Sequence, residues 1–160
     1  MTTDKFVFFY GGVFSQWFYH DMEIDGITYN CAEQYMMAMK AKTFNDTASL
    51  TKIMASYDPK EQKAIGRQVK DFDPDMWNCV AKNYVYRANL EKFSGDLKQY
   101  LLETGDRELV EASPYDKIWG IGLAMDNKNL TDKTKWQGTN WLGETLMKVR
   151  ETLSNRSQAW

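Results

Sequence analysis

Apolar positions along the chain keep two rhythms. Phe6-Val7-Phe8-Phe9-Tyr10 is a continuous apolar and aromatic run halted by Gly11-Gly12, the pattern of a buried strand followed by a turn. Met22-Glu23-Ile24 and Ile27-Thr28-Tyr29 alternate about Asp25-Gly26, a strong two-residue hairpin signal. Beyond Tyr29 the rhythm turns helical. Between Asn30 and Lys42, Ala32, Tyr35, Met36 and Met39 recur at i, i+3, i+4 and i+7 and make one apolar stripe. Asn30 is the predicted N-cap, with Glu33 as its N3 partner. Glu33, Met37 and Lys40 form a second stripe along the edge of the first. Two turns, ~10 Å of rise, separate Glu33 from Lys40, so both can project into one cleft without pairing. On spacing alone the plainer account is the better one: Glu33 completes a cap and Lys40 is a surface cation.

The same rhythm predicts four further helices and a last one at the C-terminus. One runs from about Thr47 to Ser56, capped by Asp46, with Leu50, Ile53 and Met54 inward. Asp58-Pro59-Lys60-Glu61 starts the next, read through Val69, although Gly66-Arg67 interrupts its pattern. Glycine there costs up to about 1 kcal/mol relative to alanine, which close packing or ligand approach would offset. Asp73-Pro74 opens a third, to about Lys92, with Trp77, Val80, Ala81, Tyr84 and Ala88 inward. Ser94-Gly95 breaks it. Leu97, Tyr100 and Leu101 mark a fourth, closed by Thr104-Gly105. Arg107 to Ala112 reads as a short strand, and Ser113 to Gly122 as a constrained loop. Lys128 to Lys135 is polar and reads as mobile. From Asn140 a final helix keeps Leu142, Leu146, Val149 and Leu153 on one face, and residues 154–160 read as a frayed tail. The class is α+β: a mostly helical single domain, residues 1–160 with a core at about 6–153, carrying a few short strands. No repeat or low-complexity segment is present.

Composition narrows the function classes. A formal net charge of -2 argues against broad electrostatic binding of nucleic acid. Two cysteines without close-spaced partners suggest neither a disulfide scaffold nor a zinc cluster, and fit a reducing cytoplasm. No apolar leader or membrane-spanning run is visible, so no membrane partner is expected. His20 is the single histidine. Metal sites and histidine-dependent nucleophilic triads are therefore not expected, and acid–base work falls to Asp, Glu, Lys or Tyr. The aromatic share, 14% with six Trp and nine Tyr, exceeds what a small core usually needs. Phe14-Ser15-Gln16-Trp17-Phe18-Tyr19 either lines a pocket or covers the core.

Two loops carry candidate chemistry. Gln137-Gly138-Thr139-Asn140-Trp141-Leu142-Gly143 sets glycines and a capping Asn at a helix start, where free N–H groups and the positive dipole end can hold a phosphate; a plain cap with tight packing explains it equally well. Asp116 and Trp119 place a carboxylate and an indole on one tight loop, and with Trp77 they could sandwich a flat ring, although core filling accounts for either tryptophan alone.

Taken together, these separated segments resemble the NADAR, or YbiA-like, family of N-glycosidases from about Phe6 to Leu153. The matching pieces are the aromatic strand with Phe14-Ser15, the hairpin leading into Ala32-Glu33-Gln34 and Lys40-Ala41, Gly66-Arg67, the helix carrying Trp77, Glu111-Ala112-Ser113-Pro114 with Asp116 and Trp119-Gly120, and Gly138 to Gly143. The chain departs from the family pattern at Asn78, where an acidic residue is common. The resemblance implies cleavage of a ribose C1′–N bond without a cofactor. It implies a small ribosyl or ADP-ribosyl substrate: phosphoribosylated intermediates of riboflavin synthesis, or alternatively ADP-ribose on guanine in nucleic acid. It further implies Glu33, Asp116 and Lys40 as catalytic residues, Lys40 by imine formation with an opened ribose, and Trp77 and Trp119 as stacking residues. Arg67 and the helix start near Asn140 would take the phosphate or diphosphate, with Gly120 and Gly138 also among the substrate-binding residues. A rival of another class is a module that binds ADP-ribose or a related nucleotide without cleaving it. Oligomeric state is left open.

Overall fold

The computed structural model describes residues 1–158. In chain order it contains β1 (Phe6–Phe9), β2 (Met22–Ile24), β3 (Ile27–Tyr29), α1 (Ala32–Thr43), α2 (Thr47–Ala55), α3 (Pro59–Gly66), α4 (Pro74–Lys92), α5 (Lys98–Leu102), β4 (Glu108–Glu111), a 3-10 turn (Lys133–Lys135) and α6 (Trp141–Gln158). The α+β class is as predicted. Contacts divide the chain into two units: unit 1 is Met1–Ser15 with the chain from Phe93 onward, and unit 2 is Gln16–Lys92.

Unit 1 is built on a parallel pair. β1 runs beside β4 in the register Phe6↔Glu108 to Phe9↔Glu111. A pairing between segments so far apart has no local sequence signature. Phe6, Phe8, Val110, Ala112, Ile121, Leu123 and Leu130 form its core. α6 packs on β4 with Leu142, Leu146, Val149 and Leu153 inward, as its periodicity predicts. It continues through Gln158, beyond the point at which the tail was expected; the rest of that tail lies outside the described residues. Of the residues that mark α5, Tyr100 is exposed, because this short helix buries only Leu101. The Lys128–Lys135 segment, expected to lack structure, ends in the 3-10 turn. Asp132 caps that turn by accepting from Thr134 N at 3.0 Å, and Trp136 Nε1 donates back to Leu130 O at 2.8 Å.

Unit 2 surrounds one helix. The β2–β3 hairpin closes through Asp25 and Gly26, both at positive φ (53° and 80°), as a two-residue turn of this type requires. It delivers the chain to α1, which packs against α2, α3 and α4. With neighbours on three sides, α1 buries Ala32 through Met39 and Ala41, not the single stripe its apolar spacing predicts. Asp46 and Asp58 cap α2 and α3 as expected. α3 stops at Gly66 and not at Val69, and the glycine is explained by packing: a Cβ there would run into Met37 Sδ. α4 turns Trp77, Ala81, Val85, Ala88, Asn89 and Lys92 inward.

Lys92 is 0% exposed, with its Nζ 5.4 Å from the centroid of Phe18. Burial pulls its pKa from 10.5 down to about 7, against a small opposing pull from Cys31. Between about pH 7 and 10.5 the unfolded chain therefore binds more protons at this site than the folded one, so stability rises with pH. Burial also raises the Cys31 thiol from 9.0 to about 11, and that group subtracts stability once pH passes 9. The net expectation is a stability that climbs from pH 7 to 9, by at most about 1.4 kcal/mol per pH unit, and a Lys92→Met variant that lacks the climb. Urea midpoints at pH 7, 8 and 9 decide it, and a flat wild-type profile removes Lys92 as the cause.

Candidate active site

In unit 2 the start of α1 is held by a network of buried amides. The N-cap is Cys31 and not Asn30, and it makes no side-chain capping bond. Asn30 is drawn away: its Nδ2 donates to Tyr57 O at 2.8 Å and its Oδ1 accepts from Gln62 Nε2 at 3.1 Å. The reciprocal bond of a capping box comes instead from Gln34, whose Oε1 accepts Asn30 N at 2.8 Å while its Nε2 donates to Ile53 O and Ser56 O. Glu33 is the second residue of the helix. Its N–H donates to Gln16 O at 3.0 Å, and the residue is 5% exposed. A carboxylate held this deeply on a rigid helix start is a functional candidate on physical grounds.

Two turns on, Lys40 is half-buried and its Nζ sits 4.3 Å from the centroid of the Phe72 ring, which meets Phe44 edge-on at 5.4 Å. Burial lowers the Lys40 pKa; Glu33 opposes that shift and Arg67 adds to it. Arg67 is the C-cap residue of α3. The missing Cβ of Gly66 lets α3 close onto α1, which brings the Arg67 charge within electrostatic range of Lys40. Glu33 and Arg67 both lie within electrostatic range of Lys40. Trp77 has a different setting. It is 6% exposed and stacked on Tyr84 at 6.0 Å, with Tyr84 in turn edge-on to Tyr35. Its ring is committed to packing within unit 2.

In unit 1 the loop after β4 is tied by side-chain-to-backbone bonds. Ser113 Oγ accepts from Tyr115 N and Asp116 N, and Asp116 Oδ1 accepts from Ile118 N at 2.9 Å and Trp119 N at 2.8 Å. One carboxylate oxygen of Asp116 therefore shapes the turn. Trp119 stands edge-on to Trp141 at 5.6 Å. Gly120 and Gly138 are required by close approach: a Cβ on Gly120 would meet Asp116 O and Glu111 O at 3.0 Å, and one on Gly138 would strike Gly120 O. The phosphate reading of the α6 N-terminus is not matched by these bonds. Trp141 N and Leu142 N donate to Ile118 O and Trp119 O, and Asn140 spends its side chain on Leu109 O and Glu111 N. These groups are committed to folding the loop onto the strand.

Of two buried polar residues of unit 2, Asn89 escapes the sequence reading and Gln16 enters it only as part of the Phe14 to Tyr19 segment. Asn89 lies on the inward face of α4 at the spacing of the apolar residues, a polar side chain in a core position, and that was the available signal.

Comparison with known proteins places these features in context. The model of the NADAR domain family matches residues 8–154. The chain is similar to a protein named as an N-glycosidase from Acanthamoeba polyphaga mimivirus, 43% identical over 166 residues that cover 94% of this chain and 98% of the relative. It is also similar to one so named from Nostoc punctiforme, 36% identical over 147 residues covering 90% and 86%. The NMR structure of the E. coli protein YbiA matches with a TM-score of 0.79 at 27% identity, over 99% of this chain and 90% of that one.

Proposed function

This chain belongs to the NADAR domain family, and from that membership we propose that it is an N-glycosidase that hydrolyses the ribose C1′–N bond of a phosphoribosylated or ADP-ribosylated amine. The observation that carries the reading is the Glu33, Lys40 and Arg67 cluster around α1, in a chain whose relatives are named as N-glycosidases.

The residues fit the reaction. As the C1′–N bond lengthens, positive charge grows on the ribose and electron density moves to the leaving nitrogen. A fixed carboxylate stabilises the first and a proton donor relieves the second. Glu33 is the carboxylate of unit 2. Lys40 is the amine, and its lowered pKa favours the neutral form that imine formation with an opened ribose needs. Arg67 is the cation proposed for a phosphate. In unit 1, Asp116 and Trp119 are the carboxylate and the indole offered to a ribosyl ligand.

A small metabolite is the preferred substrate. The net charge of -2 offers no broad phosphate-binding surface, and Lys133 is engaged by Glu108 at 2.8 Å. The deciding experiment incubates the protein with a phosphoribosylamino-pyrimidine intermediate of riboflavin synthesis and, separately, with an ADP-ribosylated guanosine oligonucleotide, and follows released base and sugar by mass spectrometry. Release from the first is the expected result. Release from the oligonucleotide alone transfers the activity to nucleic-acid repair, and binding without release makes the protein a ribosyl-binding module.

A further inference from the structure

Gln16 and Asn89 form a buried amide pair that the roles above do not use. They are 7% and 0% exposed. Asn89 Nδ2 donates to Gln16 Oε1 at 2.9 Å and to Val85 O at 2.8 Å. The remaining atom of each amide, Gln16 Nε2 and Asn89 Oδ1, is buried without a hydrogen-bond partner among the described residues. One is a donor and the other an acceptor, and they flank the same amide–amide bond. Buried polar atoms are nearly always paired, because an orphan gives up its hydrogen bonds to water and gains none in exchange. The pair is also joined to the candidate site: the backbone carbonyl of Gln16 accepts the N–H of Glu33 at 3.0 Å, which ties the Gln16 main chain to the first turn of α1.

We propose that Gln16 Nε2 and Asn89 Oδ1 form a subsite for one hydroxyl group next to Glu33. A hydroxyl answers both atoms, since its oxygen accepts from Nε2 while its proton goes to Oδ1. A phosphate or carboxylate oxygen would suit Gln16 but oppose the acceptor of Asn89, and an ammonium would suit Asn89 but oppose the donor of Gln16. The inference rests on the glycosidase reading, which supplies two hydroxyl sources. One is a hydroxyl of the ribose. The other is the water of hydrolysis: its oxygen bonds to C1′, one of its protons passes to a carboxylate, and the C1′–N electron pair leaves on nitrogen, which takes up a proton.

The test uses the full chain and Gln16→Met, which removes the donor at similar volume. Each is titrated calorimetrically with ribose 5-phosphate and its 2-deoxy and 3-deoxy forms, and turnover is measured on whichever of the two substrates named above the wild type cleaves. For a ribose hydroxyl, the wild type binds ribose 5-phosphate about 3- to 10-fold tighter than one deoxy form, and the variant loses that difference. For water, the three sugars bind both proteins alike, and the variant loses about tenfold or more in kcat at unchanged KM. Gln16→Glu, which keeps the acceptor for Asn89 Nδ2 and removes only the donor, repeats the reading if Gln16→Met fails to fold. A variant that keeps both the sugar discrimination and the kcat of the wild type overturns the subsite. So does a loss that is equal for all three sugars and tracks a lowered unfolding midpoint. Absence of base release by the wild type removes the glycosidase reading alone, because the sugar titrations need no turnover. A wild type that binds no sugar and releases no base overturns both.

Discussion

Glu33→Gln should lower kcat by about 10²- to 10⁴-fold, the range over which a positioned acid, base or charge-stabilising group contributes. The substitution keeps shape and leaves in place the bonds that Gln34, Gln62 and the Glu33 backbone N–H make at the helix start. The unfolding midpoint should therefore stay near that of the wild type. A second reading separates loss of charge from loss of fold. Glu33 holds the Lys40 pKa up against burial and Arg67, so removing its charge should lower that pKa further and shift any residual pH–rate profile to lower pH. Steady-state kinetics across pH, beside a thermal melt, check both. An unchanged kcat would remove Glu33 from the chemistry.

Gly143→Ala is expected to have the largest effect on stability, about 3 kcal/mol, or a fall in Tm of roughly 6–12 °C for a chain of this size. The reason is local. A Cβ at this position would collide with Leu109 O and with both side-chain polar atoms of Asn140. The first is strand backbone and cannot yield. The others make the two bonds that clamp α6 to β4, Asn140 Nδ2 to Leu109 O at 2.9 Å and Glu111 N to Asn140 Oδ1 at 3.1 Å. Asn140 itself is held at φ 53°, a backbone conformation that this pair of bonds compensates. Neighbouring Thr145→Ala removes only a hydroxyl bonded to Trp141 O within the same helix and should cost far less. Equal melting temperatures for Gly143→Ala and the wild type would show that the strand and helix can separate without loss.

Helix positions, caps and the hairpin were legible because they rest on short-range physics. Asp46 and Asp58 cap helices because a carboxylate a few bonds away reaches free N–H groups whatever surrounds it, and Asp25-Gly26 turns because few residues accept positive φ. The α6 stripe was legible for a related reason: one partner face selects one set of positions. α1 defeated the same logic. Packed by α2, α3 and α4, it buries positions well beyond one stripe, and Glu33 and Met37 of its edge stripe are interior. The Asn30 cap failed because Tyr57 and Gln62, remote in sequence, compete for the same side chain and win.

The candidate residues divide along the same line. Glu33, Lys40 and Arg67 could be named from motif order and family resemblance, yet spacing alone favoured a capping glutamate and a surface lysine. Only the packing of α3 on α1 through Gly66 brings a second cation into range of Lys40, and only the depth of the helix start makes Glu33 a buried carboxylate. Most helix starts, the turns that close and the side chains chemically able to act could be read from the chain alone, since these depend on bonds and dihedrals within a few residues. The parallel pairing of β1 with β4, the meeting of Gln16 with Asn89, and the burial that lowers the pKa of Lys40 and Lys92 arise only in the folded chain. Each of these depends on desolvation by groups distant in the chain, and no local pattern encodes that.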